Sequence, residues 1–120
     1  MSLYTQLGGD AAIGAALDRF YEKVLADPEV SRYFERVDVD RVKTRQRSFL
    51  AMAFGGPAEY DGRDLRSAHA SARKLGLDEN GYRTFMGHFE ETLTELGVPD
   101  ELVGEVMAIA DSGKDEVLGR

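Results

Sequence analysis

Apolar residues recur three and four positions apart along most of this chain, a spacing that predicts helices from one end to the other. After the pair Gly8-Gly9, Asp10 is placed to cap a helix whose inward stripe is Ile13, Leu17, Phe20, Tyr21, Val24 and Leu25. Asp27 followed by Pro28 reads as an N-cap and a first helical turn, opening a short helix with Val30, Tyr33 and Phe34 that ends near Arg36. Asp38 or Asp40 starts the next helix, with Val42, Gln46, Phe49, Leu50 and Ala53 on one face, and Gly55-Gly56-Pro57 stops it. An irregular stretch to Gly62 comes next, then a short helix defined by Leu65, Ala68, His69 and Ala72 and closed by Gly76. Asp78 caps a long helix with Tyr82, Phe85, Met86, Phe89, Leu93 and Leu96 inward. Gly97-Val98-Pro99 separates it from a last helix, which starts near Asp100 and carries Leu102, Val103, Val106, Met107, Ala110 and Val117. The tail from Asp111 is rich in charge and glycine, so fraying is expected there. No stretch alternates as a strand, repeats, or reads as a linker, and the expected fold is all-α, one domain over residues 1–120.

Size and charge narrow what such a bundle does. A chain of 120 residues buries roughly two-thirds of its unfolded surface, enough to enclose one flat apolar cofactor and too little for two cores. A net charge of −7 makes nucleic acid and anionic membrane surfaces poor electrostatic partners, so neither is expected to bind. Zero cysteines exclude disulfides, thiolate metal sites, a cysteine nucleophile and haem attachment through cysteine, so a cofactor is expected to be held non-covalently. The first residues have neither a basic start nor an apolar stretch, and no run approaches the about 18 apolar residues of a membrane span, which makes the cytoplasm the expected location.

Three polar residues stand on faces that are otherwise apolar. Gln46 is the clearest, because an amide buried without a partner costs about 1–3 kcal/mol; it bonds a main-chain carbonyl or a water, or it faces a ligand. Tyr21 either packs its ring and sends its hydroxyl to the rim, or shares that ligand. His69 is either a surface or satisfied core histidine, or a ligand, with Leu65 and Ala68 as apolar neighbours that admit a planar ring. Neutral imidazole is a common axial ligand of haem iron, and haem needs only one such bond. His88, beside Gly87 and next to the stripe of Phe85 and Phe89, is expected at an edge, and two histidines are too few for a multi-histidine zinc site. Gly55-Gly56-Pro57 lacks the lysine and preceding strand of a phosphate loop, and no serine, histidine and acid set is recognisable. The pairs Glu90-Glu91 and Asp78-Glu79 read as solvated faces and caps.

The order of several short pieces carries a resemblance. These are Leu3-Tyr4 through Gly8-Gly9, Phe20-Tyr21 with Val24-Leu25-Ala26-Asp27, Tyr33-Phe34, Arg45-Gln46 leading to Phe49, and Phe54-Gly55-Gly56-Pro57. Tyr60-Asp61-Gly62-Arg63, Arg66 to Ala68-His69, and Gly97-Val98-Pro99 complete the set. Over nearly its whole length the chain resembles a group I truncated haemoglobin, the two-over-two helical variant of the globin fold built around haem. The resemblance implies haem b as cofactor, His69 as the proximal iron ligand, and Phe34 packed on the haem face. It further implies Tyr21 and Gln46 as the distal pair that hydrogen-bonds a bound diatomic gas, with Phe49, Leu65 and Phe85 among the residues lining the haem. Val42 falls where many globins have a polar gate, so Tyr21 and Gln46 would do that work together. Arg45 stands where some cyanobacterial members have a second iron-binding histidine; a guanidinium suits a haem propionate instead, with Arg66 as a second propionate partner. Leu50 stands in the place of a tunnel-gating phenylalanine, and the segment 70–76, with Arg73 and Lys74, matches poorly.

The implied function is reversible binding of dioxygen, nitric oxide and carbon monoxide at iron, with dioxygen released slowly. Reaction of held dioxygen with nitric oxide to give nitrate is the leading expectation, and turnover would need a separate reductase. Oxygen storage or transport, or gas sensing through a partner protein, is the alternative, and a haem-free helical interaction module is a third. The expected state is a monomer or a weak homodimer.

Overall fold

A computed structural model describes residues 2–56 and 65–120, apart from the side chain of Leu65. Pro57, the irregular stretch to Gly62 and the Tyr60-Asp61-Gly62-Arg63 motif lie outside the described residues. The described helices are α1 (Leu3–Leu7), α2 (Gly9–Ala26), α3 (Pro28–Ser31) running into a 3₁₀ turn (Arg32–Phe34), and α4 (Val39–Ala53). They continue with α5 (Leu65–Ala68), α6 (Ala70–Lys74), α7 (Glu79–Glu95), α8 (Asp100–Asp111) and α9 (Lys114–Leu118). Among the described residues no helix is long and apolar enough to cross a membrane.

Helix α2 is the hub of the packing. It lies against α4 on one side and α7 on the other, and α7 packs against α8, so two helix pairs are joined across the α2–α7 seam. Its stripe buries Ile13, Ala16, Leu17, Phe20, Tyr21 and Val24, in line with the periodic pattern. Val30, Tyr33, Ala51, Phe54, Phe89, Leu93, Val103 and Val106 complete the buried cluster. Three stripe residues depart from expectation: Ala68 is exposed, and Leu25 and Leu96 are 47% and 49% exposed. For the two leucines the cause is position. Both stand at helix ends, Leu25 one residue before the last of α2 and Leu96 at the C-cap of α7, where the stripe runs past the elements that cover it.

Local chemistry explains most of the boundaries. The side chains of Asp27, Asp38 and Asp78 accept from the main-chain N–H groups of Glu29, Arg41 and Gly81, so each caps the helix after it. Asp10 does not cap α2 as expected. The helix begins earlier, at Gly9 behind a left-handed Gly8, and the Asp10 N–H instead reaches the Tyr4 hydroxyl at 3.1 Å. At the end of α4 the N–H of Gly56 bonds the Ala51 carbonyl at 2.7 Å and that of Gly55 bonds Met52 at 3.1 Å, around a left-handed Gly55. This termination satisfies carbonyls that the helix leaves unpaired. It also seats α1, since the Tyr4 N–H reaches the Phe54 carbonyl at 2.9 Å.

A polar seam locks α2 to α7. Lys23, its side chain only 9% exposed, pairs with Glu91 at 2.6 Å and with Glu95, and Arg19 joins Glu95 at 3.2 Å. At its end the His88 Nε2 meets Asp27 Oδ2 at 2.7 Å, so the half-buried His88 is committed to the residue that caps α3. The His88 hydrogen bond, with the Glu29 N–H, holds the Asp27 carboxyl below the usual carboxylate range.

Gly56 has no room for a side chain: a Cβ there would lie 2.6 Å from the Tyr4 ring and 2.9 Å from the Ala51 carbonyl oxygen. Gly56→Ala is expected to lower the melting temperature, with a loss of about 1–3 kcal/mol typical of overpacking. An unchanged thermal unfolding curve would show that α1 is not seated on this turn.

Candidate functional site

The aromatic stripe of α2 meets two rings from other elements. Tyr21, 1% exposed, is flanked edge-on by Phe20 at 4.9 Å and Phe34 at 5.5 Å between ring centroids. Phe34, delivered by the 3₁₀ turn that Asp27 and Pro28 initiate, lies nearly parallel to Phe85 of α7, with centroids 5.9 Å apart and planes 14° off parallel. Phe34 and Phe85 are half-buried and pack against the core, and each leaves part of a ring uncovered.

Into this apolar wall α4 projects one amide. The Tyr21 hydroxyl donates to Gln46 Oε1 at 2.6 Å, a short bond that satisfies both groups across the α2–α4 contact. Burial pushes the Tyr21 phenol above its ordinary value of 10.0, outweighing the opposite effect of the Gln46 bond. The phenol therefore stays protonated through the neutral range, and the Gln46 amide nitrogen keeps both its hydrogens for other partners.

His69 stands on the opposite construction, two short turns. The expected single helix through Leu65, Ala68, His69 and Ala72 is broken at the histidine, whose backbone (φ −102°, ψ 7°) leaves the helical range between α5 and α6. No glycine or proline marks that break, so the periodic stripe alone reads through it. His69 is half-buried, and Ala72 one turn on packs against the core.

Of the residues singled out in the sequence, the structure brings Tyr21, Gln46, Phe34 and Phe85 together. Val42 is half-buried against the core and Phe49 is half-buried on the same helix, while the side chain of Leu65 lies outside the described residues. Arg45 is exposed beside Gln46. Arg66 is turned away from that cluster: its Nη2 donates to the main-chain oxygen of Arg120 at 2.8 Å. Leu50 lines an apolar cavity of about 250 Å³ with Ile13, Phe54, Phe89, Leu93 and Val106. Arg73 is a residue that sequence reasoning passed over. Its guanidinium reaches the carbonyls of Arg66 and Val117 at 2.8 and 3.0 Å, and no side-chain pattern signals an acceptor that is main chain on a distant helix.

With that geometry in place, comparison with known proteins decides the family. The bacterial-like globin family model matches residues 2–118. The chain belongs to the bacterial-like globin family. This globin is 42% identical over 117 residues to a group 1 truncated hemoglobin of Chlamydomonas moewusii, covering 98% of this chain and 68% of that one. It is 40% identical over 110 residues to a group 1 truncated hemoglobin of Synechocystis, covering 91% and 89%. Among solved structures, the 2/2 hemoglobin of Synechococcus sp. PCC 7002 in its cyanomet state with covalently attached heme superposes with a TM-score of 0.95 at 37% identity, both chains fully covered. The Fe(III) truncated hemoglobin of Tetrahymena pyriformis gives 0.91 at 33%, again with both chains covered in full. The all-α, two-over-two fold is therefore that of the truncated globins.

The Tyr21 phenol makes a testable demand on stability. A folded chain that retains a proton which the unfolded chain releases loses stability as pH rises, so the loss starts near the ordinary tyrosine value of 10.0 and is absent below it. Tyr82, raised by burial and then by its bond to Asp111, acts in the same direction. Urea midpoints should hold steady from neutrality to about pH 10 and fall above it. Tyr21→Phe should flatten part of that fall; an equally steep fall in the variant would mean that the hydroxyl is not buried in solution.

Proposed function

We propose that this globin binds haem b through His69 and holds diatomic gases, dioxygen foremost, against the amide of Gln46. The observation that carries the reading is the 2.6 Å hydrogen bond between Tyr21 and Gln46 beside a cluster of aromatic rings. Membership of the globin family and likeness to a structure with covalently attached heme support it. The residues present fit the group. The half-buried rings of Phe34 and Phe85 suit a flat apolar macrocycle, and a neutral hydroxyl–amide pair suits a polarised diatomic ligand better than a carboxylate would. With zero cysteines, attachment through a thioether is excluded for this chain.

When bound, haem would supply an iron able to take up a small gas, with His69 as the residue that would hold the iron. The chain's own residues decide how the gas is held. The single Tyr21 O–H is committed to Gln46 Oε1, so Tyr21 orients the amide and the amide N–H is the donor for the gas. Turning the hydroxyl toward the gas would leave Oε1 unpaired in an apolar wall, at a cost of about 1–3 kcal/mol. Val42 has no hydrogen to donate, which leaves the donor role to Gln46. His88 is held by Asp27, so a second imidazole is not offered to the iron. Arg45, exposed beside Gln46, suits a propionate carboxylate. The cavity beside Leu50 is apolar in most of its lining and suits uncharged gases.

Oriented donors slow the loss of dioxygen, and slow loss favours its consumption by nitric oxide, with nitrate as product and an electron returned by a separate reductase. Adding hemin should give a Soret band in the parent chain that is lost in His69→Ala. Gln46→Leu should release dioxygen roughly ten- to a hundredfold faster, the worth of one hydrogen bond to a charged or polarised group. Stoichiometric nitrate from the dioxygen-loaded protein and nitric oxide is the expected chemistry; inertness there, with the Soret band intact, would leave storage, transport or sensing. A parent chain that stays colourless with hemin overturns the reading entirely.

A further inference from the structure

We infer that Arg73 is a positioning residue for His69, pinning the turns on either side of it to α9. The inference rests on His69 being the iron ligand. Helices α5 and α6 have four and five residues, too few to be stable by their own hydrogen bonds. Across the break, the Arg73 N–H bonds the His69 carbonyl at 3.0 Å. The guanidinium of Arg73 closes the gap from outside. Its Nη2 donates to the Arg66 carbonyl of α5 at 2.8 Å, while Nη1 donates to the carbonyls of Val117 at 3.0 Å and Glu116 at 3.4 Å in α9.

One side chain four residues after His69 thus holds the residue three before it and anchors both to a third helix. Arg66 adds a second tie from α5, to the Arg120 main-chain oxygen at 2.8 Å. The Val117 and Glu116 acceptors belong to the last turn of α9, where main-chain carbonyls carry the helix's negative end. A planar fork of five N–H groups reaches several such carbonyls at once, which an ammonium on a single stem does not. Helix α9 is itself secured: Lys114 and Arg120 meet Glu79 of α7 at 2.8 and 3.5 Å. Gly119 leaves space for the arrangement, since a Cβ there would come within 3.0 Å of Arg73 Cδ and Nε, on a backbone already left-handed at φ +74°.

The two turns that meet at His69 carry its backbone, so loosening the fork is expected to broaden the range of geometries open to the imidazole. Arg73→Met keeps bulk and removes the donors; Gly119→Ala keeps the guanidinium and pushes it off its acceptors. Both variants should show faster amide hydrogen exchange at residues 70–77 in the haem-free chain, and a shifted or broadened iron–imidazole stretch in the ferrous resonance Raman spectrum. Transfer of haem to an excess of scavenging apoprotein should quicken roughly tenfold, the low end for losing a contact behind a metal ligand. Arg73→Lys, with charge but no fork, should recover only part of the parent behaviour and serves if Arg73→Met does not fold. A role in stability alone would lower the melting temperature and leave the stretch of the bound fraction where the parent has it, which overturns the inference. So would parent-like stretch and haem loss in both variants. If the parent chain takes up haem but His69→Ala leaves the same stretch in place, the reading of His69 itself falls, and the role of Arg73 with it.

Discussion

Burying a phenol hydroxyl in a wall of rings is the constraint around which this globin is organised. Tyr21 is sealed between Phe20 and Phe34, and water is excluded as a partner, so the proton has to go to another side chain. Gln46 is that side chain, and reaching it at 2.6 Å fixes how closely α4 approaches α2. The net worth of such a bond is only about 1 kcal/mol, while leaving either end unpaired costs about 1–3 kcal/mol. The pair therefore does less to stabilise the fold than to reject other arrangements of α2 and α4. Helix α2 serves both ends: its apolar stripe carries the phenol, and its polar edge carries Arg19 and Lys23, whose ion pairs hold α7 and so the Phe85 ring.

How far the sequence discloses this depends on where each residue's partner lies. Tyr21 and Gln46 are legible because helical period points both inward and an inward amide demands a partner. The glycines at 55, 76 and 97 are legible because a helix that ends in a left-handed residue accepts little else. Leu25 and Leu96 mislead because period identifies a face without saying how far a neighbour covers it. Asp10 misleads because the cap of α2 falls two residues earlier, at a left-handed Gly8, and the Asp10 N–H goes to a tyrosine hydroxyl. The break at His69 is invisible to composition, since nothing at that position opposes helix locally. The partner of Arg66 is not legible either: its guanidinium reaches a main-chain oxygen 54 residues away, which no side-chain pattern records.

The two sides of the candidate site therefore rely on unlike forces. Tyr21 and Gln46 stand on helices of 18 and 15 residues, long enough to be internally hydrogen-bonded along most of their length, and their mutual bond is part-buried. Added salt has little purchase on a neutral pair. His69 stands between turns of four and five residues whose ties are cationic, with Arg66 exposed and Arg73 half-buried. The Arg73 ties end on main-chain carbonyls and so bring no side-chain carboxylate into this segment. Under the proposed reading, Gln46 as donor would be held in one geometry while His69 as iron ligand would keep freedom to adjust, and a short, externally tied segment would meet the second need without loosening the first.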